Sequence, residues 1–368
     1  MQFNLQSSLL TFLDNSKKRN FKKPSSWPDI RKNLISNSIR LLADDRYSLG
    51  FTATVTGGYS VNIDGEHYAD YNSQEQFSMA DWSAYTDTDG YDIDYPTGAT
   101  KAHIIDIYPQ TENANITAFK CTRVAASGTE QQGVLWAHFN IKNYVDLHQS
   151  FGSAVQPKIV QSNLTAVTAK NNKLFVNTIY QAFNQCSSLE YVPDFYANTS
   201  QMTMNYAFAE CNKLVKFVLN NFKIDSSAFT FIGNLALKNL LLKNCSFINA
   251  EILLSFMTQA KSLENFTLDV SDATGLTCVG VFGTSSYFMA GFKGLRVSNE
   301  APFNYSTSPQ INVSYTGMDR AALVQLFNDL PSVSDSQTLS CVGCTGTADL
   351  TNDDKAIATD KGWTLTLQ

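Results

Sequence analysis

Residues 182–193 read AFNQCSSLEYVP, and residues 207–218 read AFAECNKLVKFV. Alanine, phenylalanine, cysteine and leucine return at the same places in the second stretch. Leucines at the same phase extend the pattern in both directions: Leu164, Leu189, Leu214, Leu237 and Leu263. Apolar residues follow most of these leucines three and five positions later. A pattern that returns every 23–26 residues predicts stacked repeats, each of which buries its apolar face against its neighbours.

Each repeat is expected to contribute one short strand to a parallel sheet. The two apolar positions after each leucine are two residues apart, so they face the same side of the strand, towards the core. The positions between them point outward and are the predicted binding face: Tyr191, Lys216, Val218, Asn239, Leu241, Asn265 and Thr267. The stretch before each strand, such as Tyr180 to Cys186, returns along the other side as a helix or a short turn.

The repeated cysteines are interpreted as packing residues. Cys186 and Cys211 each lie three residues before one of the repeated leucines, Leu189 and Leu214. Asn234 and Ala260 occupy the equivalent places in other repeats. A metal or redox role would not tolerate alanine and asparagine as equivalents. A small buried position tolerates alanine, and it tolerates asparagine where the amide is hydrogen-bonded. The odd total of seven cysteines, widely spread, also argues against a disulfide framework.

Composition and charge describe a folded, recognition-type protein. The chain has 368 residues, of which 43% are hydrophobic and 16% charged, with a net charge of -6. Residues 1–40 carry eight Lys or Arg against two Asp, so a basic arm precedes an acidic body. Nucleic-acid binding is not expected, because phosphate would repel that body. No signal peptide and no membrane-spanning run is visible, so synthesis in a cytosol without membrane insertion is expected.

Four segments are predicted. Residues 1–48 form a helical, basic arm, with an amphipathic first helix and a second helix near Asp29 to Leu42. Residues 49–142 form a β-rich module of the sandwich or barrel type, with a hairpin at Gly57-Gly58 and a turn at Asp64-Gly65. Residues 143–317 carry the repeats, and residues 318–368 form a helix–strand–helix–strand cap. The candidate anchoring residues of the arm are Leu5, Leu9, Phe12, Leu13 and Trp27.

Motifs for chemistry are weak. Cys341-Val-Gly-Cys344 has no second pair at zinc spacing and no helix directly after it. The stretch DTDGYDIDYP, residues 87–96, could hold calcium, but a polar loop that enters a strand is favoured. None of the four histidines has a neighbour at a familiar catalytic spacing. No catalytic residue, metal or cofactor is therefore expected.

The A-F-x-x-C-x-x-L pattern, with its strand L-x-x-[LF]-x-L, resembles the BspA-like class of leucine-rich repeats. Residues 27–71 and the last fifty residues resemble segments of fibre and adhesin proteins of gut bacteriophages. With the segments predicted above, the expected class is α+β multidomain: a helical arm, a small β-sandwich or barrel, and an α/β solenoid with a cap.

The resemblances also imply a non-enzymatic virion protein of the head- or tail-fibre type. Its expected partners are other virion proteins, a host surface glycan or protein, and further copies of the same chain. The alternative is a bacterial surface adhesin or protein-interaction module. An enzyme that cleaves glycans is less favoured, because no carboxylate pair stands out.

Overall fold

The computed structural model describes residues 21–83, 90–95, 98–124, 129–153, 158–198, 201–226, 230–231, 233–247, 262–269, 279–281, 289–297, 311–333 and 337–368. The first thirteen strands are β1 (Ser38–Asp44), β2 (Leu49–Val55), β3 (Tyr59–Ile63), β4 (Glu66–Tyr71), β5 (Gln76–Met79), β6 (Tyr91–Tyr95), β7 (Gly98–Pro109), β8 (Ile116–Cys121), β9 (Thr129–Gln131), β10 (Val134–Asn140), β11 (Val145–Asp146), β12 (Lys158–Val160) and β13 (Ala166–Ala169).

The other strands are β14 (Lys173–Thr178), β15 (Asp194–Ala197), β16 (Gln201–Thr203), β17 (Lys216–Asn220), β18 (Lys223–Ser226), β19 (Asn239–Lys243), β20 (Ser246–Phe247), β21 (Asn265–Asp269), β22 (Val279–Val281), β23 (Gly294–Val297), β24 (Ile311–Asn312), β25 (Gln337–Ser340) and β26 (Trp363–Thr366). The described α-helices are α1 (Arg320–Asp329) and α2 (Asn352–Thr359). Short 3-10 turns lie at Lys170–Asn172 and Thr347–Asp349. No helix in these ranges is long and apolar enough to cross a bilayer.

Two large sheets enclose one apolar core. Sheet A has the order β13-β10-β1-β7-β3-β4, with β6 also paired to β7. Sheet B has ten strands in the order β23-β21-β19-β17-β15-β14-β11-β8-β2-β5. Its strands pair in parallel from β8 onward, whereas β5, β2 and β8 are antiparallel. Sheet B therefore runs without a break from the β-rich module into the repeats.

The repeats form a β-solenoid of about seven turns. Smaller parallel sheets, β16-β18-β20 and β22-β24-β25-β26, complete its other sides. The phenylalanines of the repeated motif stack along its interior, with ring centroids 5.6 Å apart for Phe151 and Phe183, 5.0 Å for Phe183 and Phe208, and 5.9 Å for Phe208 and Phe231. All four side chains are fully buried, so the repeated phenylalanine forms the spine of the core.

The predicted α+β class with an α/β solenoid is wrong, because the return segments are turns. Gln181 and Gln185 in one repeat, and Tyr206 and Glu210 in the next, have left-handed backbones with φ between 53° and 64°. Left-handed residues interrupt a right-handed helix. The backbone of one turn bonds to the next instead, as where Phe183 N–H donates to the Ala207 carbonyl.

The second helix predicted for the N-terminal arm is also wrong. Asn33 and Asn37 have φ of 52° and 54°, and Ser38–Asp44 is a central strand between β7 and β10. That strand is buried on both faces, and an apolar run of this kind does not distinguish a strand from a helix. The segment before it lies across the outer face of sheet A. Arg40 holds it there, donating to the carbonyls of residues 32 and 33 while it pairs with Asp106.

The two predicted turns of the β-rich module have different outcomes. Asp64 and Gly65, with φ of 52° and 95°, connect β3 and β4 as a tight hairpin, as expected. Gly57-Gly58 instead links β2 in sheet B to β3 in sheet A, so the strands on either side of it do not pair with each other. The two predicted strands, β2 and β3, are present, but the predicted hairpin is wrong because the two glycines form a corner between sheets.

The C-terminal helix–strand–helix–strand order is present. Thr351 and Asp354 form the predicted capping box at the start of α2. Helix α1 packs beside β23, which is the last strand of sheet B. Arg296 on β23 and Asp329 on α1 form a buried ion pair with two hydrogen bonds. Helix α1 therefore covers a sheet edge that would otherwise expose unpaired backbone groups.

Candidate functional site

The predicted outward positions of three strands lie side by side on sheet B. Lys216, Asn239 and Asn265 are aligned across β17, β19 and β21, and Val218, Leu241 and Thr267 form the adjacent row. The predicted core-facing positions between them, Phe217, Leu240 and Phe266, are fully buried, as expected. Val218 and Thr267 are each 4% exposed, whereas the other outward positions are half-buried. The rows together form a polar and apolar surface on a rigid parallel sheet.

Tyr191 lies at the start of this surface but outside sheet B. Its backbone forms a parallel bridge with Ala166, the first residue of β13 in sheet A. Its hydroxyl donates to Asn172 Oδ1 over 2.5 Å, and its ring lies 5.9 Å from that of Phe21. The chain between Tyr191 and Asp194 bends from one sheet to the other. In this repeat the strand of sheet B, β15, thus begins at Asp194, later than the spacing from Leu189 predicts.

Three aromatic side chains that the leucine pattern did not predict lie on the same face. Phe175 and Tyr196 are partners in the β14–β15 register, and Tyr144 lies beside Phe175 because Val145 pairs with Val176. Ring centroids are 5.5 Å apart for Tyr144 and Phe175 and 5.5 Å for Phe175 and Tyr196. We call these three residues the aromatic ladder. The sequence contains one indication of the ladder, the alternation in Lys-Leu-Phe-Val-Asn, residues 173–177. This alternation places Phe175 on the other face of the strand from the buried Leu174 and Val176.

Positive charge surrounds the ladder. Lys173 Nζ lies 5.3 Å from the centroid of the Tyr196 ring, within cation–π distance. Lys173, Lys216 and Lys243 also lie close enough to Asp194 to favour its ionised form. Burial nevertheless outweighs the lysines and raises the pKa of the Asp194 carboxyl. This carboxylate therefore sits among cations at the centre of the face.

Pairs of asparagine side chains are hydrogen-bonded across neighbouring strands at the margins of the face. Asn198 Nδ2 donates to Asn177 Oδ1 over 3.0 Å, and Asn265 Nδ2 donates to Asn239 Oδ1 over 3.2 Å. Asparagine amides have two donors and an acceptor with two lone pairs, so one bond to a neighbour leaves further bonding capacity. The face can therefore recognise a polar, uncharged group beside each aromatic ring.

A cleft of about 980 Å³ adjoins the face where sheet A meets sheet B. Its lining includes Phe21 and Arg31 from the N-terminal segment, His138 and Thr168 from sheet A, and Tyr191, and it reaches the aromatic ladder through Lys173. His138 Nδ1 lies 2.8 Å from Thr168 Oγ1. Burial, with the nearby charges of Arg31 and Arg40, lowers the pKa of His138 to about 4. The cleft therefore contains a neutral imidazole at physiological pH.

The predicted anchoring residues divide into two groups. Leu5, Leu9, Phe12 and Leu13 lie outside the described residues. Trp27 is 2% exposed and packs with Ile30 and Trp136 on the outer face of sheet A, where its indole N–H donates to the Asp94 carbonyl. Trp27 is thus part of the packing between the N-terminal segment and sheet A.

The repeated cysteines occupy packing positions. Cys186 and Cys211 are fully buried, and burial raises the pKa of both thiols. Asn234, their equivalent, is 1% exposed, and its Oδ1 accepts from the N–H groups of Ala236 and Leu237. The amide oxygen of Asn234 is therefore hydrogen-bonded, whereas its buried Nδ2 has no partner among the described residues.

The C-x-x-C pair and the acidic stretch hold no described metal site. Cys344 Sγ donates to the Val313 carbonyl over 3.0 Å, and Cys341 is fully buried. Asp92 and Asp94 lie in β6, as predicted, while Asp87 and Asp89 lie outside the described residues. Among the side chains that the structure describes, no group of three His, Cys, Asp or Glu is placed to bind a metal ion.

One histidine–carboxylate pair was not expected from the sequence. His103 Nδ1 lies 2.6 Å from Asp64 Oδ2, and Asp64 Oδ1 accepts from the N–H of Ile104. The imidazole is fully buried and stacks on Trp82 with a centroid distance of 4.8 Å. A ring without solvent contact cannot reach a substrate. The pair therefore fastens the β3–β4 turn to β7.

Comparison with known proteins adds no assignment: no protein-family model matches the chain, and no curated protein is significantly similar to it. Of the described surfaces, the outward face of sheet B combines aromatic, amide and charged side chains on adjacent parallel strands.

Proposed function

We propose that the chain is a non-enzymatic adhesion protein of a bacteriophage particle, of the head- or tail-fibre type. The observation that supports adhesion best is the outward face of sheet B, where the aromatic ladder continues into Asn220 and Lys243 and lies beside the row that contains Val218 and Leu241. Aromatic side chains offer a large contact area at a small cost in conformational entropy. A solenoid holds such side chains at fixed spacing, because each strand is bonded to the next.

The phage origin is supported by the sequence resemblance, and the basic N-terminal arm suits an acidic surface on the particle. In this proposal the N-terminal region binds other virion proteins, the repeats bind a host surface molecule, and the chain acts as a homo-oligomer in the virion. A bacterial surface adhesin would use the same face. The two proposals therefore differ in the location of the protein.

Cell binding tests the face. Leu241 is half-buried in the middle of the face, so Leu241→Asp places a charge where a ligand must make contact. Leu235 is 72% exposed outside the sheet, so Leu235→Asp is a matched control for the same chemical change. We expect purified, labelled Leu241→Asp protein to bind cells of the bacterial host about tenfold more weakly than wild type. Leu235→Asp should bind normally.

Circular dichroism confirms beforehand that both variants are folded. Equal binding by Leu241→Asp and Leu235→Asp would show that the face is not the adhesion surface. Failure of the wild-type protein to bind these cells would remove the adhesion proposal.

A further inference from the structure

We infer that the aromatic ladder binds an acidic glycan whose sugars carry carboxylates. This inference rests on the proposed function, because it names the ligand class of the same face. Tyr144 directly precedes β11, Phe175 lies in β14 and Tyr196 in β15, and Tyr144 is 37% exposed. An aromatic ring has a negative face that attracts the weakly positive C–H groups on the face of a sugar ring. The amide side chains at the margins are suited to the sugar hydroxyls.

The lysines on the face favour a negatively charged glycan over a neutral one. Lys173, Lys216 and Lys243 surround Asp194, although the whole chain has a net charge of -6. Three lysines around one carboxylate give this part of the face an excess of positive charge. A local excess of positive charge on a negative chain attracts an anionic ligand to this face.

Other occupants fit the face less well. Single-stranded nucleic acid also stacks on aromatic rings, but its regularly spaced phosphates need a continuous basic groove, whereas the lysines here form one cluster around Asp194. A second copy bound across a two-fold axis would place the same patch against itself. The lysines around Asp194 would then approach the lysines of the other copy, which is unfavourable.

The experiment is a titration of the full chain with carboxylated oligosaccharides, namely oligogalacturonate, hyaluronan oligomers and oligosialate. Methyl-esterified oligogalacturonate has the same sugar backbone without the charge and is the matched ligand control. Tyr196→Ala removes a ring, Tyr196→Phe retains it, and Tyr91→Ala removes an exposed tyrosine outside the face as the protein control. Isothermal calorimetry gives each dissociation constant at low and at physiological salt.

We expect at least one carboxylated probe to bind, and its affinity to fall with salt. Tyr196→Ala should weaken that binding about tenfold or more, since it removes one of the three rings on which the sugars would stack. Tyr196→Phe and Tyr91→Ala should stay within about twofold of wild type. Where oligogalacturonate is the bound probe, its methyl ester should bind about tenfold more weakly.

The inference is overturned if none of the carboxylated probes binds, if the ester of a bound galacturonate binds equally well, or if Tyr196→Ala has no effect. Binding of single-stranded oligothymidylate, or self-association in sedimentation, would also overturn it if Tyr196→Ala abolished that behaviour. Cell binding that is still lost in Leu241→Asp would then leave the adhesion proposal standing. If the wild-type protein binds neither the carboxylated oligosaccharides nor the host cells, both proposals are removed.

Discussion

The phenylalanine stack provides the sharpest test of which side chains face the core. Phe208 is fully buried, and its ring centroid lies 5.0 Å from Phe183, 5.9 Å from Phe231 and 4.4 Å from Phe217. Phe208→Ala leaves a cavity between successive turns, and large-to-small changes of this kind cost about 3–5 kcal/mol. Phe208→Leu refills most of the volume and should cost about 1.5 kcal/mol or less.

Phe175→Ala is the matched control, because it makes the same chemical change on the outward face. The Phe175 ring is half-buried and contacts Tyr144 and Tyr196, so we expect a loss of about 1 kcal/mol or less. Urea unfolding followed by circular dichroism measures each change in the free energy of unfolding. Equal costs for Phe208→Ala and Phe175→Ala would refute the assignment of inward and outward faces.

Three further predictions concern charge and thiols. The folded chain keeps His138 neutral down to a pKa of about 4, whereas an unfolded histidine takes up its proton near pH 6.5. Unfolding therefore binds a proton in this window, so the free energy of unfolding should fall as pH drops from 6.5 to 4, and His138→Gln should reduce that slope in urea titrations. Asp329→Ala leaves Arg296 buried without its carboxylate and should cost about 3–5 kcal/mol in the same assay; a cost below about 1 kcal/mol would show that the pair is solvated. Cys186 and Cys211 should resist iodoacetamide in the folded protein and react in urea, as judged by peptide mass spectrometry, because burial raises the pKa of both thiols. Rapid native labelling at either cysteine would contradict the packing role.

The sequence predicted the repeats well because their signal is periodic and local. Leucine spacing placed the strands Lys216–Asn220, Asn239–Lys243 and Asn265–Asp269, and strand alternation assigned their faces. The equivalence of cysteine with asparagine and alanine indicated a packing position. The capping box located the start of the last helix. Each of these inferences depends on residues close together in the chain.

The predictions that were wrong concern conformation that other parts of the chain impose. Left-handed φ at Gln181 and Gln185 turns a return segment that the sequence allowed to be helical. Ser38–Asp44 is a strand because sheet A holds it on both edges, which local periodicity does not encode. The bend after Tyr191 shifts the strand start, so the leucine spacing gave the wrong outward residue in the repeat of Tyr196. Phe175 was missed because the Leu164 repeat pointed to Val167 and Ala169, which lie in sheet A.

Peptide mass spectrometry on density-purified phage particles from the source culture tests the proposed function most directly. We predict abundant peptides from across residues 1–368 in the particle fraction, with a copy number, relative to the major capsid protein, that distinguishes a head or fibre protein from one at the tail tip. If the peptides occur in the bacterial envelope fraction and are missing from the particles, the virion proposal is contradicted. The bacterial surface adhesin would then take its place.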